Sequence, residues 1–260
     1  MPRANRYYAP GLVWHLTHRC LGRDFLLKFE KEKRCWVRWL GVARRRYELS
    51  VLNYTVTRNH VHLCVYDHGQ GEIARSMQLI QGQVALEYNR RKRRAGAFWH
   101  DRYHATAVET GVHALRCCSY IDLNMVRAGV VTHPSTWRWC GYGEILHGRQ
   151  RFRLIDRPRL AEVIGLDHCD ELAAVYGDRM EYVLAHEALE REAWWTEAVA
   201  VGDELFVEKV KGMLQQVRQT WELVTSERQD GSVVLKEPAC PYRADFSVQN
   251  GPVSIRIGPF

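Results

Sequence analysis

Residues 54–67 read YTVTRNHVHLCVYD, and the fold expected for the chain is predicted from this stretch outward. Two runs that alternate as strands do, 48–57 and 60–66, make up most of it. Only Arg58 and Asn59 lie between the two runs, which predicts a tight connection between successive strands.

The second of these strands carries His60 and His62. Side chains two residues apart on a strand point to the same face, so both imidazoles project together while Val61 and Leu63 face the opposite side. Two histidines on one rigid strand form half of a binding site for a divalent cation. A catalytic site of this kind needs a third ligand and a nucleophile from elsewhere in the chain.

The periodicity on either side of this strand pair predicts an α+β domain. Strands are expected over 12–18, 48–57, 60–66 and 104–109, and helices over 29–46, 72–94 and 112–127. This order of elements favours an antiparallel sheet flanked by helices.

The chain after residue 150 has a different pattern. Segments 160–164, 170–190 and 205–220 have helical periodicity, and glycines and prolines after residue 226 predict an irregular tail. We therefore expect an N-terminal domain over 1–150, a helical C-terminal region over 151–225 and a tail over 226–260.

Charge divides the chain at the same place. Residues 1–150 carry 24 basic and 11 acidic side chains, whereas residues 151–260 carry 13 basic and 19 acidic ones. Of the basic residues in the first part, 20 are arginines, which suit bidentate contacts to phosphate and stacking on bases. This asymmetry favours a nucleic-acid-binding N-terminal domain over a merely solvated basic surface.

Composition places the chain among globular proteins of the cytoplasm. Hydrophobic residues make up 46% of the sequence, and no run of about 18 apolar residues predicts a membrane span. The basic N-terminus is followed by no apolar signal core, so secretion is not expected. The eight cysteines are scattered without a Cys-x-x-Cys pair, which favours reduced thiols over disulfides or a zinc ribbon.

The third ligand and the nucleophile are found on the helix expected over 112–127. Tyr120 and Asn124 are four residues apart and so share one helical face. If this helix packs beside the histidine strand, Asn124 can give a cation an oxygen ligand and Tyr120 lies about one turn away. Nitrogen and amide-oxygen ligands suit Mg²⁺ or Mn²⁺. The tyrosine hydroxyl could then attack a metal-bound phosphate, helped toward phenolate by Arg116 and Arg127.

Several blocks of this sequence resemble the REP-associated tyrosine transposases, relatives of the single-tyrosine HUH transposases of small bacterial insertion sequences. The strongest are NHVHL at 59–63 and YIDLNMVRAG at 120–129. FWHDRY at 98–103, the segment 137–148 and GDELFV at 202–207 resemble further blocks. The resemblance is dense over about residues 8–148 and thinner to about 220.

The resemblance implies an HUH, ferredoxin-like fold and a metal-dependent endonuclease and strand transferase acting on single-stranded DNA. His60, His62 and Asn124 match the metal ligands, and Tyr120 matches the nucleophile that forms a 5′-phosphotyrosine link. The targets implied are palindromic repeats that fold as hairpins. One departure is Met125, where the family usually has proline, a residue that tends to end or kink a helix; the change removes no ligand.

Alternatives stay open at this point. A domesticated protein could bind hairpin DNA without cleaving it, and an RNA-binding α+β domain without a metal would make the histidine pair a coincidence. The acidic C-terminal half either packs on the catalytic domain or regulates access to DNA. Both a monomer and a homodimer are compatible with the sequence. Contacts to DNA are expected from the basic end of the second helix, which contains Arg90, Arg91, Lys92, Arg93 and Arg94. Arg116 and Arg127, which flank Tyr120, are expected to contact DNA as well.

Overall fold

The computed structural model describes residues 8–148, 153–187, 189–217, 223–228 and 230–237. Its strands are β1 (Val13–Arg19), β2 (Ser50–Val56), β3 (His60–Tyr66), β4 (His104–Val108), β5 (Ala200–Gly202), β6 (Val224–Glu227) and β7 (Val233–Lys236). Its helices are α1 (Glu30–Tyr47), α2 (Glu72–Lys92), α3 (Val112–Asp122), α4 (Asn124–Arg127), α5 (Tyr142–His147), α6 (Arg157–Val163), α7 (Leu172–His186), α8 (Trp194–Glu197) and α9 (Glu204–Val217). The strands form one sheet in the order β2-β3-β1-β4-β5-β7-β6.

The N-terminal strands form the predicted antiparallel sheet. β3 pairs with β2 on one side and with β1 on the other, and β1 pairs in turn with β4. His62 on β3 is therefore flanked by Thr17 on β1 and Thr55 on β2, in the interior of the sheet. The predicted α+β fold, an antiparallel sheet flanked by helices, is confirmed for this part of the chain.

Apolar stripes on the helices account for the layers around this sheet. On α2 the buried residues Ile73, Met77, Ile80 and Val84 follow the spacing of one helical face, and α1 packs against this helix. Helix α3 packs across β2, β3 and β4. This packing places the face of α3 that carries Tyr120 beside the histidine strand.

The helix predicted over 112–127 is interrupted. α3 ends at Asp122, Leu123 adopts φ −74° and ψ −1°, and the short helix α4 begins at Asn124. The carbonyl of Tyr120 accepts a hydrogen bond from the guanidinium of Arg127. In a continuous helix this carbonyl would accept from the amide of Asn124, so the arginine replaces a backbone partner at the break.

The sequence had predicted a helical C-terminal region and an irregular tail, but both contain β-strands. Strand β5 pairs parallel with β4, and β6 and β7 form an antiparallel pair beyond it. An unpaired edge would leave the amides and carbonyls of β4 without partners. Instead, the amide of Ala107 donates to the carbonyl of Val199 at 2.8 Å. The predicted division near residue 150 lies outside the described residues, as does the tail beyond residue 237.

None of the helices in the described part of the chain has the length and the apolar composition that a membrane span requires. The seven cysteines that the described residues include are all free thiols.

A buried polar cluster connects the C-terminal helix α7 with strand β2 and helix α3. The hydroxyl of Tyr176 donates to Asp122 Oδ2 at 2.5 Å, and the amide of Asn53 donates to the same oxygen at 3.0 Å. All three side chains are fully buried. Burial raises the pKa of Asp122 to about 7, although these donors work against that shift.

We expect Tyr176→Phe to lower the free energy of unfolding by about 1–3 kcal/mol, because the buried carboxyl group of Asp122 loses the hydrogen bond that the tyrosine hydroxyl donates to it. Denaturant unfolding measures this difference. Tyr182→Phe is the matched control, since Tyr182 is 54% exposed and its change should stay within about 0.5 kcal/mol. Equal stability of the two variants would show that the cluster contributes nothing.

Candidate active site

The histidine pair lies on one face of β3, as predicted. The ring centroids of His60 and His62 are 4.9 Å apart. His62 is buried, whereas His60 is only partly buried at the edge of the site. The turn before β3 is held by Thr57, whose hydroxyl oxygen accepts from the amides of Asn59 and His60 at 3.3 and 3.1 Å. Local hydrogen bonding therefore sets the position of the first histidine.

A cavity of about 280 Å³ opens beside this pair and brings most of the predicted site together. Its lining residues come from four parts of the fold: the end of β1, the start of β3, the α3–α4 break and the segment around α8. They are Thr17, Arg19, Arg23, Asn59, His60, His62, Tyr120, Asn124, Arg127, Ala128, Arg191 and Thr196.

Asn124 reaches the histidine pair. Its Nδ2 lies 2.9 Å from His62 Nε2. The nitrogen and oxygen of an amide are assigned from hydrogen bonding, and half a turn of the side chain exchanges them. His60, His62 and Asn124 can thus present two nitrogens and one oxygen to the cavity. Among the described residues no cluster of three His, Cys, Asp or Glu side chains is placed to hold a metal ion, so a metal site here depends on the amide.

This donor set fits a divalent cation. Burial lowers the pKa of His60 to about 4 and that of His62 well below its usual value, so both imidazoles are neutral at neutral pH. A neutral imidazole has one nitrogen lone pair available for a metal. The nitrogen and oxygen donors are of the kind that Mg²⁺ and Mn²⁺ tolerate.

His15 completes the surroundings of His62, a role that the sequence analysis did not assign. His15 Nε2 lies 2.9 Å from His62 Nδ1, and His15 Nδ1 donates to the carbonyl of Trp195 at 2.8 Å. His15 is fully buried, and burial lowers its pKa to about 3. The sequence around His15 could not have predicted its contact with Trp195, because Trp195 is 180 residues away in the chain.

Tyr120 meets the histidines of its own chain. The centroid of its ring lies 5.9 Å from that of His62 and 6.2 Å from that of His15. The guanidinium carbon of Arg127 lies 3.9 Å from the centroid of the tyrosine ring. Burial raises the pKa of Tyr120, and the positive charges of Arg127 and Arg191 lower it in part. The tyrosine is therefore a neutral phenol at neutral pH.

The two arginines predicted to assist Tyr120 differ in position. Arg127 lines the cavity, as expected. Arg116 does not line it; its guanidinium forms a 2.6 Å ion pair with Asp230 in the tail. The cavity instead contains Arg19, Arg23 and Arg191. For Arg19 a signal was present in the sequence, since strand alternation puts it on the same face as His15 and Thr17.

The basic run at the end of α2 lies outside the cavity. Arg90, Arg91 and Lys92 form the last turn of the helix, and none of the five basic residues lines this cavity. Arg91 is paired with the buried carboxylate of Glu32, so part of its charge is compensated within the protein. Contact between this run and DNA remains a prediction.

We expect the buried imidazoles to lower the stability of the metal-free protein as the pH falls from about 6.5 toward 4. The imidazoles of His15, His60 and His62 have lowered pKa values when folded, so the unfolded chain binds more protons on these groups in this range. Three carboxyl groups act in the opposite sense, because their pKa values are raised: Asp122 to about 7, Asp67 to about 6 and Glu144 above its usual value. Because the two sets oppose each other, the contribution of the imidazoles is measured by removing one of them.

Denaturant unfolding between pH 4.5 and 7, with and without the substitution His15→Phe, isolates one imidazole. The variant should lose stability less steeply than the wild type, by about 1 kcal/mol per pH unit. Parallel curves for the two proteins would contradict the assignment of a buried, neutral His15.

Part of this chain matches a family of known proteins, and some solved structures are similar to it. Residues 10–124 match the model of the family described as Transposase IS200 like. A comparison with curated proteins found no match. A solved structure of a REP-associated tyrosine transposase bound to a REP hairpin is 19% identical, with TM-score 0.48, and the alignment covers 58% of this chain and 90% of that one. A candidate transposase from Deinococcus radiodurans R1 is 17% identical, with TM-score 0.33, covering 49% of this chain and 92% of that one.

The matched range begins just before β1 and ends at Asn124, so it contains the histidine pair, Tyr120 and the amide. This match to the IS200-like transposases confirms the resemblance predicted from the sequence for the part of the chain that it covers. Residues after 124 lie outside the match.

Proposed function

We propose that this protein is a metal-dependent, single-stranded DNA endonuclease and strand transferase that uses Tyr120 as its nucleophile. The observation that carries the proposal is the shared cavity, in which the tyrosine lies beside His60, His62 and Asn124. A tyrosine that served only for packing would be expected among apolar side chains, whereas Tyr120 lies among two neutral imidazoles, an amide and several arginines. The family match over these residues supports the same activity.

The chain's own residues account for the transfer step. The hydroxyl oxygen of Tyr120 attacks the phosphorus of a DNA phosphodiester, and the new O–P bond forms as the bond to the 3′ oxygen breaks. The phenol proton passes to water, and the departing oxygen takes up a proton to become a free 3′-OH. The product is a 5′-phosphotyrosine ester. It keeps the energy of the original bond, so a 3′-OH can later attack it and rejoin DNA without ATP.

The positive charges around the cavity hold the phosphate. Arg19 and Arg23 line it from the end of β1 and the turn after it, and Arg191 lines it from the segment before α8. Guanidinium groups suit the planar, bidentate recognition of phosphate oxygens. A Mg²⁺ or Mn²⁺ ion held by His60, His62 and Asn124 would polarise the phosphate and stabilise charge on its oxygens. The positive charges of Arg127 and Arg191 favour ionisation of Tyr120, although burial still leaves its pKa above the usual value. A bound cation would favour ionisation further.

The substrate that we propose is a hairpin formed by a palindromic single strand. The sequence resemblance to the REP-associated transposases supports this choice, as does the excess of arginine in residues 1–150. Tyr120 and the histidines of the same chain form the site together. This distance supports a site built within one chain, whether the protein is a monomer or a homodimer.

The proposal is tested with labelled single-stranded hairpin DNA from the flanks of the gene, incubated with the full chain and Mg²⁺ or Mn²⁺. We expect a protein–DNA adduct that survives denaturation and that chelation of the metal prevents. Tight hairpin binding without an adduct from any flank would indicate a domesticated binding protein and would contradict the proposed cleavage.

A further inference from the structure

The segment around α8 is fixed against the catalytic sheet by its backbone carbonyls. The hydroxyl of Thr106 on β4 donates to the carbonyl of Ala198 at 2.7 Å, and His104 Nε2 donates to the same carbonyl at 2.7 Å. The side chain of Trp195 is buried, with 1% exposure. The carbonyl of Trp195 is consequently a rigid acceptor beside His15.

This carbonyl determines where the protons of two histidines lie. A carbonyl oxygen can only accept, so His15 Nδ1 must carry the proton in their 2.8 Å hydrogen bond. In the neutral ring His15 Nε2 then has a lone pair, which accepts from the proton on His62 Nδ1 at 2.9 Å. Neutral His62 is left with a lone pair on Nε2, the nitrogen that faces the cavity and Asn124.

We propose that His15 is a positioning residue that, anchored by the carbonyl of Trp195, fixes His62 as the tautomer whose Nε2 lone pair faces the metal cavity. The inference rests on the proposed function, since it concerns how the ligand set is prepared for a cation. It also gives residues after 124 a role at the site, because the acceptor comes from the C-terminal region. Metal-binding histidines commonly need such a partner on their second nitrogen.

The position of Asn124 is compatible with this tautomer. Its Nδ2 is 2.9 Å from His62 Nε2, a distance at which an amide N–H donates to a lone pair. Because half a turn of the amide exchanges its nitrogen and oxygen, this contact does not by itself choose between the two tautomers. The choice rests on the carbonyl of Trp195, which can only accept a hydrogen bond.

Nitrogen NMR of the metal-free, full-length protein with labelled histidines tests the tautomer directly. We expect His62 to show a protonated Nδ1 and an unprotonated Nε2 in the wild type. In His15→Phe, which keeps a ring but has no nitrogen, this preference should weaken or reverse. His15→Gln, which keeps a donor and an acceptor, should restore it in part. A wild-type His62 protonated on Nε2 would overturn the proposal whatever the variants do.

Calorimetric titration with Mn²⁺ provides the second readout. His15→Phe should weaken Mn²⁺ binding about 10–100-fold, and His15→Gln should recover part of the affinity. His186→Phe is the matched control, because His186 stacks on the exposed Tyr182 and is not among the residues that line the cavity; it should bind Mn²⁺ as the wild type does. Unchanged affinity in His15→Phe would overturn the proposal. A wild type that binds no Mn²⁺ would refute the metal-dependent function, while the NMR result would still decide the tautomer.

Discussion

Tyr120→Phe should reduce formation of the covalent DNA adduct at least about a thousandfold, because phenylalanine has no oxygen with which to attack phosphorus. The change removes one atom, and the ring can keep its contact with the guanidinium of Arg127. Binding of hairpin DNA should therefore stay close to that of the wild type. Gel analysis of adducts after denaturation, together with a binding titration, separates the two effects.

Tyr182→Phe serves as the control for this loss. Tyr182 is an exposed tyrosine on α7 and does not line the catalytic cavity. Its variant should form adduct at the wild-type rate. An adduct that persists in Tyr120→Phe would assign the nucleophile to another residue.

His62→Asn should lower the affinity for Mn²⁺ by about 100-fold or more and abolish the adduct, because a central nitrogen ligand is removed from the site. Asparagine is chosen to keep a polar side chain between His15 and Asn124, both within hydrogen-bond distance of His62 in the wild type. Calorimetry with Mn²⁺ measures the first effect. Wild-type Mn²⁺ affinity in this variant would mean that the cation binds elsewhere.

Mixing two inactive variants tests whether each site is built from one chain. Tyr120→Phe supplies an intact histidine pair, and His62→Asn supplies an intact tyrosine. Because Tyr120 lies 5.9 Å from His62 of the same chain, measured between ring centroids, the mixture should form no adduct. Restored activity would show that the tyrosine acts on a partner's histidines.

The parts of the fold that depend on local patterns could be predicted from the sequence. Alternation around His60 and His62 gave both the strand and the shared face, because a strand repeats every two residues. The spacing of Tyr120 and Asn124 gave their common helical face, although the helix is interrupted between them at Leu123. A turn of helix was enough to bring both side chains to the same cavity.

Features that depend on distant parts of the chain could not be found in this way. Strand β5 has three residues and exists because the edge of β4 offers backbone partners, so its own sequence contains too little pattern to identify it. The role of His15 depends on the carbonyl of Trp195, which is 180 residues further along the chain. The position of Arg191 in the cavity likewise depends on how the segment before α8 returns to the sheet.

The most direct test of the proposed chemistry is to identify the residue to which the DNA is covalently joined. The wild-type adduct formed with Mn²⁺ is digested with nuclease and protease, and the modified peptide is sequenced by mass spectrometry. We predict that the peptide containing Tyr120 carries a nucleotide joined through its 5′ phosphate to the tyrosine oxygen. A nucleotide on any other residue, or a linkage through a 3′ phosphate, would contradict the proposed chemistry.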